Sequence, residues 1–298
     1  MPERREEVRR EEAGRESGGL KAARLKERAR EEGGPVALRS ERMMRFFDVA
    51  FARSLAGSFQ ALRVSRRATP DYPAGRPLVL LANHPSWWDA VLFMLLLRRL
   101  FPGRPAFFPM DAVAFEKYRF MRRIGVFGVE QDQARGAVRF LRTAKQVVSH
   151  DPSHMLWMNA AGRFADVRER PVPLAAGALR LAEHVPPGAL IGTLAFEYTH
   201  WTEKRGEALA AFGPAVPAGE LAAMDRASRE ARLRAMLTGT MDLLAEDAIT
   251  RDPSRFDTLV EGRTGVGGLY GAVQYARALL RGERHDPRHD PKASQGNA

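Results

Sequence analysis

Short apolar runs bounded by proline, glycine or charge punctuate the chain at Arg76 to Ala82, Pro105 to Met110, Gly125 to Val129, His154 to Met158, Ala189 to Tyr198 and Ala208 to Phe212. Runs of this length with few polar interruptions read as strands buried on both faces. Between them, apolar residues recur three and four positions apart, which is the signature of helices that bury one side. That spacing predicts helices over Ala90 to Leu100, Ala134 to Val148 and Pro173 to His184, and beyond the last strand over Glu220 to Ala248 and Gly268 to Arg281. Met43 to Leu62 repeats its apolar residues in the same way, with Arg45 and Arg53 between them. Strands alternating with helices predict an α/β fold: a mostly parallel or mixed central sheet flanked by helices, preceded by an N-terminal helical segment.

The pattern also sets the domain organisation. Residues 1–34 are almost entirely Arg, Glu, Lys, Ala and Gly, too poor in apolar side chains to offset ordering entropy, so they read as a disordered charged leader; they contain no apolar core of a secretory signal. A single domain is expected over 35–281, with its core at about 70–215 and bracing helices over 220–281, followed by a disordered tail at 282–298. The tail repeats His285-Asp286-Pro287 as His289-Asp290-Pro291, a pattern that suits a solvated tail better than a metal site. Gly265-Val266-Gly267-Gly268 follows no strand, which argues against a dinucleotide-binding turn.

Chemistry concentrates in Asn83-His84-Pro85-Ser86-Trp87-Trp88-Asp89, at the corner between the first of these strands and the helix after it. A carboxylate that accepts a proton from one imidazole nitrogen fixes the tautomer and stabilises the imidazolium formed when the other nitrogen acts as a base. His84 is the candidate base and Asp89 its orienter. Ser86 to Asp89 also reads as a capping box, with Ser86 at the N-cap and Asp89 three residues on, and this leaves only His84 unexplained. Ser86 as a nucleophile is a weaker alternative, given Pro85 beside it and the capping role.

This block resembles the His-x4-Asp signature of the glycerolipid acyltransferase family, the enzymes related to lysophosphatidic acid acyltransferase, and the resemblance covers about residues 40 to 215. It implies that His84 deprotonates an acceptor hydroxyl, which attacks the thioester of acyl-CoA or acyl-carrier protein, with Asp89 holding His84. The family's Gly-x-x-Phe-x-x-Arg motif resembles Gly125 to Gln131, with Gln131 where an arginine would grip a phosphate; Arg122, Arg123 and Arg135 are near in sequence. Glutamine lacks the charge that makes a bidentate phosphate contact strong. The Phe-Pro-Glu-Gly-Thr-Arg motif resembles Met158 to Phe164: Gly162 is kept, Ala161 stands at the glutamate, and Arg163 comes one residue early, with Arg168 and Arg170 following. Gly162, Arg163 and Arg168 form either an anion cradle or a basic surface loop. The last family segment resembles Pro171 to Ala178 followed by Leu190 to Tyr198, after which Glu197, Tyr198, His200 and Trp201 either line an acceptor pocket or end a strand. Trp87 and Trp88 are candidate pocket walls, or simple packing. The resemblance departs at the charged positions that handle the acceptor while base and orienter are intact. Retained chemistry on a changed acceptor, one that carries no phosphate or carries it elsewhere, is the expectation.

Composition narrows the partners. The 298 residues include no cysteine, which excludes disulfides, thiol catalysis and cysteine-bound zinc, and no metal or cofactor is expected beyond the acyl thioester as co-substrate. The formal net charge is +11 with the leader nearly balanced, so the excess lies on the folded part. Anionic membrane surfaces, the phosphates of coenzyme A, acidic carrier protein and nucleic acid would all be attracted. No zinc-finger, RNP-type or helix-turn-helix pattern supports nucleic acid. No apolar stretch is long enough to span a bilayer, whereas Met43 to Leu62 suits an interfacial helix or one packed on the domain. The sequence therefore points to an O-acyltransferase acting on a lysophospholipid or other lipid-like hydroxyl, cytoplasmic and peripherally associated with the inner face of the cell membrane. The rival readings are a non-catalytic lipid- or membrane-surface-binding relative and a thioesterase-type hydrolase.

Overall fold

The computed structural model of the protein describes residues 34–130 and 134–262. At its centre is β2 (Leu78–Ala82), buried at every position and paired in parallel on one side with β5 (Met155–Asn159) and on the other with β6 (Leu190–Thr199). A strand with two parallel neighbours exposes neither face nor edge, which is why its sequence is a continuous apolar run. Beyond β5 lie β3 (Ala106–Asp111) and β4 (Val126–Val129), both parallel to it. On the other side β7 (Gly206–Pro217) returns antiparallel to β6, β1 (Phe59–Ser65) runs parallel to β7, and β8 (Phe256–Glu261) closes the edge antiparallel to β1. The result is one mixed eight-stranded sheet in the order β4-β3-β5-β2-β6-β7-β1-β8.

Each sheet face has its own apolar layer. On one face, α2 (Glu41–Ser58) and α3 (Asp89–Leu100) pack against Leu78, Leu80, Trp157 and Phe196; α3 buries Val91 through Leu97 without a break because α2 covers the side that the sheet does not. The other face holds α5 (Ala134–His150), α6 (Ala176–Arg180) and α8 (Arg226–Ile249) against Val79, Leu81, Leu156 and Ile191. In α5 the buried residues Phe140, Leu141, Ala144, Val147 and Val148 form the stripe that its spacing predicted. Short helices α1 (Gly34–Leu38), α4 (Ala112–Lys117) and α7 (Ala218–Ala222) complete the described chain. Both layers leave the carboxyl ends of β2, β5 and β6 open, where loops mounted on parallel strands collect.

Several elements differ from the sequence reading. The helix expected through Leu62 ends at Ser58, and residues 59–65 form β1, because a ladder on each side satisfies their backbone groups where helical spacing alone did not. The bracing region is not wholly helical: residues 256–261 are the edge strand β8. Glu220 to Ala248 is interrupted, α7 stopping at Ala222 and Asp225 capping α8 by accepting the Ser228 N–H at 3.0 Å. Pro173 to His184 contributes only α6 and a 3-10 turn at Leu181–Glu183, since Ala175 is extended. The charged leader up to residue 33, Gln131, Gly265 to Arg281 and the tail lie outside the described residues. Among those described, no helix is long and apolar enough to cross a membrane.

Candidate active site

The site grows out of the end of β2. Asn83, buried, gives its side-chain amide N–H to the Phe196 carbonyl at 2.8 Å and accepts the Phe196 N–H at 2.7 Å, so its amide extends the β2–β6 ladder by one more rung. His84 follows, and the chain turns through 85–88 into α3, whose first residue is Asp89. Across that turn His84 Nδ1 lies 2.6 Å from Asp89 Oδ2. The same oxygen accepts the Ser86 backbone N–H at 3.2 Å, and Ser86 Oγ accepts the Trp88 N–H at 3.2 Å. Asp89 thus braces the turn as well as facing His84, but the expected capping box does not form: the N-cap of α3 is Trp88, not Ser86, and no side chain caps it. The other oxygen, Oδ1, accepts the Tyr198 hydroxyl at 2.6 Å.

These contacts settle the chemistry of each group. Asp89 has no exposed surface, and burial pushes its carboxyl above the usual aspartate range, opposed by the hydrogen bonds from His84, Tyr198 and Ser86. Tyr198 is driven far above an ordinary phenol by burial and by Asp89 beside it, so it stays a donor. An ionised carboxylate only accepts, which puts the ring proton of neutral His84 on Nδ1 and leaves a lone pair on Nε2. The His84 side chain keeps 19% of its surface exposed. One face of its ring stacks on Phe164, centroids 4.1 Å apart and planes 26° from parallel. The loop carrying Phe164 is tied down by Ala160 N–H to the Ala82 carbonyl at 2.7 Å and by Ala165 N–H to the His84 carbonyl at 2.9 Å. Asn83, His84, Ala161, Glu169, Leu237 and Met241 line a small, shallow pocket with about 10 Å³ of room, that of a single water molecule.

Residues 63–197 match the family model described as Acyltransferase. The match covers 135 of the 298 residues, from 63 to 197. The span runs from β1 to β6, contains His84 and Asp89, and stops one residue before Tyr198. No curated protein sequence matches this chain. Among solved structures it is similar to the 1-acyl-sn-glycerophosphate (LPA) acyltransferase PlsC from Thermotoga maritima, at 15% identity and a TM-score of 0.44, covering 76% of this chain and 88% of that one. At that identity and score the likeness carries no argument.

The other residues singled out in the sequence are distributed unevenly around the His84–Asp89 pair. Gly162 turns the loop after β5 with φ +67, a conformation that favours glycine. Arg163 and Arg168 follow it, each already facing a carboxylate: Arg163 binds Glu169 through both terminal nitrogens, and Arg168 binds Asp166 at 2.7 and 2.8 Å. Trp87 and Trp88 do not line the pocket. Trp87 is exposed and meets Trp88 edge-on, and Trp88 packs edge-on against Phe59 in the apolar layer that holds α2 and α3. Sequence reasoning missed the Asn83 clasp, the Phe164 stack and the α8 side chains Leu237 and Met241. It flagged Tyr198 without its partner, which is 109 positions away. Among the described residues no group of three or more His, Asp or Glu could hold a metal ion.

Proposed function

We propose that this acyltransferase moves a fatty acyl group from acyl-CoA or acyl-carrier protein to a hydroxyl of a lysophospholipid or another lipid-like acceptor. The observation that carries the reading is an imidazole at a pocket mouth, hydrogen-bonded at 2.6 Å to a carboxylate with no solvent exposure. In the proposed step, His84 Nε2 takes the acceptor hydroxyl proton as the oxygen attacks the thioester carbonyl carbon. The tetrahedral adduct then expels the thiolate, which leaves as a thiol with the proton from the His84 imidazolium, and an ester is formed. Asp89 stabilises the imidazolium throughout. No acyl-enzyme is needed, and Ser86 Oγ is held in the turn by the Trp88 N–H.

Arg163 and Arg168 are the proposed contacts for anionic groups of donor or acceptor, on the loop that Gly162 starts. Their present partners are exposed surface carboxylates, and water and salt screen such pairs, so an incoming phosphate can exchange with them. In this proposal the acceptor lacks the arginine that the family motif would bring, since Gln131 stands at that position of the sequence. The membrane is met by α2, which exposes Phe46 and Val49 among the exposed Arg42, Arg45 and Arg53, and by exposed Trp87 at the dyad turn. The protein then works on the inner, anionic face of the cell membrane from the cytoplasm.

Labelled acyl-CoA, and in parallel labelled acyl-carrier protein, incubated with lipid extract and the protein tests the reading. New labelled ester from wild type and none from His84→Ala is the expected result. Equal ester from both proteins removes His84 from the reaction, and labelled free fatty acid without ester makes water the acceptor.

A further inference from the structure

We propose that Tyr198 is a positioning residue of the dyad, its hydroxyl fixing the Asp89 carboxylate and setting the proton affinity that His84 and Asp89 share. Asp89 meets His84 and the Ser86 N–H through Oδ2, while Oδ1 is met by Tyr198 at 2.6 Å, as short a contact as that to His84. A carboxylate held at one oxygen can swing about its side-chain bond; held at both, it has one orientation. The hydroxyl also supplies the donor that a buried carboxylate oxygen requires.

Tyr198 is itself rigidly mounted. Its backbone pairs with Ala208 of β7, and its ring lies 5.6 Å from that of Phe59 on β1. Two residues earlier on the same strand, Phe196 is clasped by Asn83, the residue before His84. The base and the group that holds its orienter thus hang from one pair of strands, and the circuit Asn83, His84, Asp89, Tyr198, Phe196 closes on itself through hydrogen bonds and chain. The side-chain circuit has no slack through which His84 and Asp89 could drift apart.

The proton affinity follows from charge. Neutral His84 with ionised Asp89 carries one negative charge, and protonation of the pair removes it. A phenol donor binds the charged state more strongly than the neutral one, so removing the donor makes the pair easier to protonate. Few other charges face it. Asp166 and Glu169 line the pocket beside His84, partnered by Arg168 and Arg163. Glu197 leaves β6 on the opposite face from Tyr198, as alternation requires. On the β7 side Glu207 is paired with Arg63 of β1 at 2.9 Å, and Phe59 and Ala208, against Tyr198, are apolar.

Only the consequence for turnover rests on the acyltransferase reading, so the test reads the imidazole directly. His84 is titrated by NMR in the full chain carrying labelled histidine, its signal assigned by its absence from His84→Gln. Tyr198→Phe is expected to raise the His84 midpoint by about one pH unit, the size of one lost charge-assisted hydrogen bond. Tyr72→Phe removes a comparable buried bond, from its hydroxyl to the Gly213 carbonyl at 2.7 Å, in the part of the core near Phe101 and Phe212, and is expected to leave the midpoint in place. A midpoint in Tyr198→Phe equal to wild type overturns the inference. If Tyr198→Phe does not fold, replacing all tyrosines with 3-fluorotyrosine makes the phenol a stronger donor and must lower the midpoint; no movement overturns the inference equally. A shifted midpoint in a protein that transfers no acyl group would sink the functional reading and support this one. Active wild type with an unmoved midpoint does the reverse.

Discussion

Two aspartates, Asp89 and Asp247, have no exposed surface at all, and they are held in opposite ways. Asp247, on α8, accepts the Ser65 hydroxyl at 2.6 Å and faces two guanidiniums, Arg255 at 3.1 Å and Arg67 at 3.3 Å. Its charge is matched by permanent cations, and the cluster ties α8 to the end of β1 and to the turn before β8. Asp89 meets a phenol, a backbone N–H and an imidazole, so the only partner that can match its charge is one that must first take up a proton. A buried carboxylate neutralised by arginine is structural; one left waiting for an imidazolium makes that imidazole a base.

Replacing each aspartate by asparagine sharpens the contrast, and Asp89→Asn should have the largest effect. Its amide can donate to Nδ1 and favour the wrong tautomer, so transfer is expected to fall about 10⁴-fold, the order seen when a catalytic histidine loses its orienter in this way. Stability should move the other way. Because burial raises the Asp89 carboxyl, the folded protein binds that proton more tightly than the unfolded chain does. Its contribution to stability is therefore fullest below the ordinary aspartate value and declines as pH rises through the raised one. Urea midpoints of wild type across that range should fall relative to those of Asp89→Asn, and a variant weaker than wild type at neutral pH would break the comparison.

Asp247→Asn should do the converse, leaving two half-exposed guanidiniums and the Ser65 hydroxyl with a weaker partner than a carboxylate. A lower midpoint in denaturant unfolding is expected, with unchanged transfer per folded molecule. Next comes Asn83→Ala, which orphans the buried N–H and carbonyl of Phe196 at about 1–3 kcal/mol each and loosens His84, so both stability and kcat should drop. The smallest effect belongs to Arg42, Arg45 and Arg53 on α2: changing any one to glutamine should weaken binding to anionic vesicles by about 1 kcal/mol, read by sedimentation, with no change on neutral vesicles.

What the sequence made legible was local. The strands β2 to β6 carry their burial as continuous apolar runs, and His84 and Asp89 sit within one turn, so spacing alone brought them together. What it hid depends on pairing across the sheet. β1 and β8 are strands because each lies beside the other, and neither has an apolar run long enough to announce it. The Tyr198 bond to Asp89 joins a strand end to a helix start through the β2–β6 register, which no count along the chain reveals. Arg163 and Arg168 were visible as charge, yet their partners Glu169 and Asp166 are in the same loop and become readable only when it is folded.

The claim that His84 is the base is tested most directly by chemical rescue. His84→Ala should transfer no labelled acyl group to lipid on its own, and added imidazole should restore part of the transfer in proportion to its neutral form as pH is varied. Transfer by His84→Ala at the wild-type rate without imidazole would contradict it.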